Sequence, residues 1–174
     1  MALDAKKLVF EPIRVEDSVR IAPYFYRRPN KTCDSCALDS YLWVEYCDTR
    51  IAEWEDKALF ILMEKDGEQY TATPYCDEED LPQYFDLIKD YFNQVLKKPL
   101  KIYLADEEAV KYLHLEEDSR FIVREEEDYK DYLYDAEELR TLPGKRFHKK
   151  KNLVNKFKRE YEGRWEYRSI RCLE

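Results

Sequence analysis

A chain of 174 residues that is 44% hydrophobic and 15% aromatic can bury the core of a domain, which excludes disorder as its main state; only 3 Gly and 7 Pro exclude a loop-rich or repeat-built chain. Its 39% charged residues and mean hydropathy of -0.78 therefore describe a heavily solvated surface around that core. Charge is uneven: residues 143–174 hold 11 Lys and Arg against 4 Asp and Glu, so the net -8 leaves -15 on residues 1–142, an acidic body followed by a basic segment.

In chain order, MALDAKKLVF lacks the apolar region of a signal peptide, and no stretch approaches the roughly 20 apolar residues that span a bilayer. The expected location is the cytoplasm. Residues 8–14 alternate as a first strand, and 15–26 read as a helix closed by Pro29 and Asn30. Thr32 or Asp34 can cap a second helix over 35–46, whose broad apolar face predicts deep burial. Three strands follow at 50–54, 58–64 and 69–73, with Asp66-Gly67 as the turn between the last two. The continuous run ALFILM predicts a strand in the middle of the sheet. Leu81, Tyr84, Phe85, Ile88, Tyr91, Phe92, Val95 and Leu96 recur at helical spacing behind Asp80 and Pro82. A short strand at 100–104, a helix at 106–115 and two strands at 121–124 and 129–134 complete the order βααβββαβαββ. A helix over 145–161 and a strand-like stretch at 164–170 end the chain.

The order of elements looks like a GNAT-type acyltransferase fold, an α+β architecture with a mixed, mostly antiparallel sheet flanked by helices. Two segments, TCDSCALDSYLWVEY and DYKDYLYDAEELRTLPGKRFHKKKNLVNKFKREY, resemble the first half of the phosphatidylglycerol lysyltransferase C-terminal-domain-like family of bacterial proteins, and the resemblance extends over nearly the whole chain. Members typically carry two GNAT-like domains in tandem, as do the related Fem-type transferases that use aminoacyl-tRNA. The resemblance implies a GNAT-like domain at 1–135, then a basic bridging helix and the first strand of a missing second domain at 136–174. It also implies an aminoacyl- or acyl-transferase-related function without a complete active site in this chain. The alternative is a non-catalytic module that presents a basic helix to RNA or to a protein, and the trailing strand offers an edge through which two copies could pair.

The chain departs from ordinary acetyltransferases at Pro74-Tyr75-Cys76-Asp77-Glu78-Glu79-Asp80. A pyrophosphate needs a Gly-containing loop leading into a helix N-terminus, whereas four consecutive acids repel a diphosphate there. No acetyl-CoA, and no other cofactor, is expected.

The candidate functional residues lie in the basic helix. At about 100° per residue, Phe147, Val154, Phe157 and Tyr161 fall on one side and Lys145, Lys149, Asn152, Lys156 and Arg159 on the other. The first face is expected to dock, and the second to meet the phosphates of a tRNA or another polyanionic donor. The plainer reading of the second face is a solvated helix surface. No catalytic residue can be named.

Three other groups compete with plain structural readings. Cys33-x-x-Cys36 could be a redox pair or half a zinc site, but it lacks a second ligand pair, and five cysteines at irregular spacing suit reduced thiols. No metal is expected. His114 and His148 have no evident catalytic partner. Tyr129, Tyr132 and Tyr134, with Tyr103 and Tyr112, could stack bases or an aminoacyl group, or pack as a half-buried strand.

Overall fold

The structure is a computed structural model that describes residues 3–28, 32–33, 35–103 and 105–168. Pro29, Asn30 and Asp34, named in the sequence reading, and Cys172, one of the five cysteines, lie outside them. Two compact units divide the chain, 1–131 and 132–174.

The first unit opens with a two-residue strand β1, Glu11–Pro12, where an extended segment of seven was expected. Helix α1, Asp17–Ile21, runs into a 3-10 segment over Ala22–Tyr26 that starts with Pro23 at its N-terminal turn. Helix α2, Ala37–Leu42, follows, with the Cys36 sulfur accepting the Asp39 N–H at its N-terminus. Strands β2, Asp48–Trp54, β3, Ala58–Lys65, and β4, Glu68–Thr71, form an antiparallel meander in the order β1-β2-β3-β4. Asp66 and Gly67 both take positive φ, 53° and 78°, as the two-residue turn between β3 and β4 requires. Helix α3, Leu81–Asp90, extends through a π-helical segment to Leu96 and ends at Lys97 in the left-handed region.

Strand β3 lies between β2 and β4, as its continuous apolar run implied, and feeds both faces of the sheet. Ala58, Phe60 and Leu62 pack with Leu81, Tyr84, Leu87, Ile88 and Phe92 of the long helix. Leu59 and Ile61 face the other way, against Ile21, Tyr24 and Phe25. This two-sided packing and the antiparallel sheet make the fold α+β.

Three expectations need correction. Helix α2 has no buried residue: Ala37, Tyr41 and Val44 pack on the sheet, while Leu38, Leu42, Trp43 and Tyr46 are exposed, because the apolar set is broader than the contact it serves. The strand at 100–104 reduces to a single parallel bridge, Thr71↔Ile102, with Leu104 outside the described residues. Neither 121–124 nor 129–134 forms a strand; α4, Glu107–Tyr112, and a 3-10 turn at Glu127–Tyr129 are the only regular elements described between 103 and 135. β-propensity is expressed only where a neighbouring strand accepts the pairing, and among the described residues none lies beside Ile122.

The second unit holds α5, Ala136–Thr141, capped by the Asp135 carboxylate on the Glu138 N–H, a 3-10 turn at Lys145–Phe147, and α6, His148–Glu160. The expected trailing strand is not formed over 164–168, and its last two residues lie outside the described ones.

Candidate polyanion interface

Helix α6 is built largely from Lys, Arg, Leu and Asn, and its amphipathic period rather than its intrinsic propensity organises it. Its charges are placed against its own dipole. Lys149, Lys150 and Lys151 occupy the first turn, where cations oppose the positive helix end; Lys158 and Arg159 in the last turn complement the negative end. No side chain caps the N-terminus.

Lys145, Lys149, Asn152, Lys156 and Arg159 are all exposed, with Lys145 in the preceding 3-10 turn and the other four on the helix. Lys156 approaches Glu160 at 3.7 Å, and the Asn152 amide lies 3.4 Å from His148 Nδ1. Among the described residues Lys145, Lys149 and Arg159 have no carboxylate within ion-pairing distance, so their charge faces solvent.

The opposite face corrects the sequence reading. Phe147 is buried, but Val154, Phe157 and Tyr161 are 41%, 45% and 44% exposed, and no residue of α6 is buried. Phe157 stacks on Tyr161 with ring centroids 4.9 Å apart and leans on Trp165 at 5.7 Å. The stripe is thus covered in part by its own C-terminal continuation. Helical spacing correctly grouped these side chains; it carries no information on whether a partner surface is present.

The acidic loop forms a 3-10 turn, Glu78–Asp80, leading into α3. Asp77 pairs with Arg27 at 3.1 Å, and Asp80 accepts from the Gln83 amide. Asp77, Glu78, Glu79 and Tyr112 line an open depression. Cys76 behind the loop is fully buried, which pushes its thiol up to about 12 and makes it unreactive.

Beside this loop lies a feature that sequence reasoning missed. The Arg28 guanidinium donates twice to the Asp106 carboxylate, at 2.6 and 2.8 Å, with the two side chains 7% and 3% exposed. Asp106 also accepts the Ala109 N–H and so caps α4. Burial alone would raise its carboxyl, but the hydrogen bonds from Arg28 and Ala109 and the Arg28 charge bring it below the usual carboxylate value. The pair spans 78 positions, and nothing local in the sequence links its members.

The tyrosines divide. Tyr103 lies 5.5 Å from Tyr70 and 5.5 Å from Tyr129, at steep angles, so the unforeseen Tyr70 joins a packed row. Tyr132 and Tyr134 stack on each other in the second unit, and Tyr112 sits by the acidic loop. Cys33 and Cys36 are exposed and in no disulfide among the described residues, and the Cys33 N–H donates to Asp131 at 2.8 Å. His114 and His148 are exposed, with His114 3.6 Å from Glu117. Among the described residues no helix is long and apolar enough to cross a membrane.

The family described as phosphatidylglycerol lysyltransferase, C-terminal, matches residues 28–174, most of the chain and all of the basic segment. The chain belongs to this family. Membership makes it an aminoacyltransferase-related domain. A solved structure similar to this family domain is a conserved protein of unknown function from Bacteroides thetaiotaomicron, 23% identical, with a TM-score of 0.78 over 88% of this chain and 51% of that one. The domain therefore spans about half the length of that relative. No curated protein matches it.

Proposed function

We propose that this chain is a GNAT-like domain of a cytoplasmic aminoacyl- or acyl-transferase that takes its donor from aminoacyl-tRNA and contacts the tRNA phosphates through α6. Family membership supports the reaction class. The observation that carries the donor is the solvent-facing cation set of Lys145, Lys149, Lys156 and Arg159. Cations retained at a helix N-terminus cost stability, and a phosphate placed there offsets that cost by meeting both the ammonium groups and the free N–H groups. Catalysis would rest on positioning and electrostatic stabilisation, completed by a second GNAT-like domain.

The acidic loop argues against acetyl-CoA as donor, because Asp77 to Asp80 occupy the end of α3 where a pyrophosphate would sit. The alternative, a module that binds RNA without transferring anything, rests on the same helix face. Binding and turnover assays separate the two. Changing Lys145, Lys149, Lys156 and Arg159 together to Gln should weaken tRNA binding at least about hundredfold, each phosphate contact being worth on the order of 1 kcal/mol. Unaltered binding by that variant would remove α6 from the reading. Transfer of an aminoacyl group by the assembled protein would exclude the pure binding module.

A further inference from the structure

Helix α6 presents thirteen residues without one buried side chain. A helix of that length is marginal in water alone and is normally held by packing of its apolar face. At about 100° per residue, Leu153, Val154, Phe157 and Tyr161 share an arc about 100° wide. All four are exposed, and Trp165 continues the face by leaning on Phe157. Lys151 and Lys158 border the arc on one side, Lys149 and Lys156 on the other. Glu160, the one acid in α6, lies 3.7 Å from Lys156. Lys150 falls inside the arc with its ammonium 5.3 Å from the centroid of the Tyr134 ring, and the Arg164 guanidinium lies over Tyr161 at 5.1 Å.

We propose that this face docks on the surface of an anionic lipid bilayer, α6 lying flat with its apolar arc at the acyl boundary and its flanking ammonium groups among the lipid phosphates. Three features select lipid over a protein partner. Lys is depleted in protein interfaces and charge is depleted at their centres, whereas helices that lie in a membrane surface are rich in it beside the apolar face. Lys150, inside the arc, would need a carboxylate if a protein covered it; at a bilayer its four-carbon stem carries the ammonium out to the phosphates. Tyr161 and Trp165 join an apolar ring to a polar O–H or N–H, which suits the headgroup boundary. Pairing α6 with α6 of a second copy would set lysines against lysines. The orientation follows from length and charge: thirteen residues reach about 20 Å, short of the roughly 30 Å of a hydrocarbon core, and six Lys and Arg exclude insertion across it. Residues 132–174 hold 12 Lys and Arg against 7 Asp and Glu, and residues 1–131 hold 18 against 31, so an anionic surface attracts the second unit and repels the first. Asn152 and Arg159 lie on the opposite side of the helix from the arc.

Cosedimentation of the RNA-free protein with vesicles tests it. Phosphatidylcholine vesicles doped with phosphatidylserine or, at equal charge, with phosphatidylglycerol should bind the protein alike, pure phosphatidylcholine should not, and raised salt should release it. Phe157→Asp, and separately Lys151→Gln with Lys158→Gln, should each weaken binding more than about tenfold. The lysine pair leaves the apolar arc intact, so a helix lost in Phe157→Asp, read by circular dichroism, does not remove the test. Absence of binding to the charged vesicles overturns the proposal, as does binding that survives either change or that is as strong to pure phosphatidylcholine. Binding confined to phosphatidylglycerol would mean recognition of one headgroup rather than of a charged surface, and would overturn it as well. So would a dimer formed without vesicles and dissociated by Phe157→Asp, which would assign the face to a second copy. Phe157→Asp should bind tRNA as the parent does, so the donor reading stands or falls separately.

Discussion

The two units of this chain use their apolar side chains in opposite ways. In residues 3–131 the apolar side chains of β3 are divided between two helical layers, and Phe60, Leu59 and Ile88 are almost completely buried. In residues 132–168 only Phe147 is buried, while Leu153, Val154, Phe157, Tyr161 and Trp165 remain at the surface. The first unit buries hydrophobic groups on both faces of its sheet, the outer side of α2 apart, and keeps an acidic exterior. The second displays both its hydrophobic groups and its positive charge, which is the property of a surface made for something else.

Substitutions should break this contrast in a graded way. The largest effect is expected inside the first unit: Phe60→Ala empties a site 1% exposed and should cost about 3–5 kcal/mol in chemical denaturation. Arg28→Ala should follow closely, at about 3–5 kcal/mol, because it strands the Asp106 carboxylate in a buried site. The same pair predicts a pH dependence. The Asp106 pKa is lowered on folding, so its contribution is complete above the unfolded value near 3.8 and is lost as the pH falls through the lower folded value. Denaturation midpoints should therefore drop on acidification below about pH 4, and that component of the drop should vanish in Asp106→Asn. The smallest effect is expected in α6: Phe157→Ala should change the stability of the first unit by less than about 0.5 kcal/mol. A cost of several kcal/mol there would show that the stripe supports that unit's core, and the contrast between the units would fail.

The sequence made the first unit's centre legible because its signals are local. Asp66-Gly67 dictates a turn, ALFILM dictates a strand buried on both sides, and the spacing from Leu81 to Leu96 dictates a long helix. Legibility failed where structure depends on a distant partner. Residues 121–124 and 129–134 carry strand-forming side chains but have no ladder to join, and the apolar faces of α2 and α6 announce burial without stating what would bury them. Arg28 and Asp106 meet only through the fold. The candidate residues of α6 were legible as a group because a helix places them by period alone, and their exposure follows from charge; what they bind does not.

The salt dependence of tRNA binding is the most direct test of what the second unit is for. If Lys145, Lys149, Lys156 and Arg159 meet phosphates, the plot of log affinity against log salt should be steep for the parent and shallower by roughly three to four slope units for the quadruple Gln variant. Its thermal stability should stay within about 0.5 kcal/mol of the parent, since the four side chains are exposed. Parallel plots for parent and variant, or a parent that shows no salt-dependent binding, would mean that the basic face of α6 is only solvated, contradicting the account.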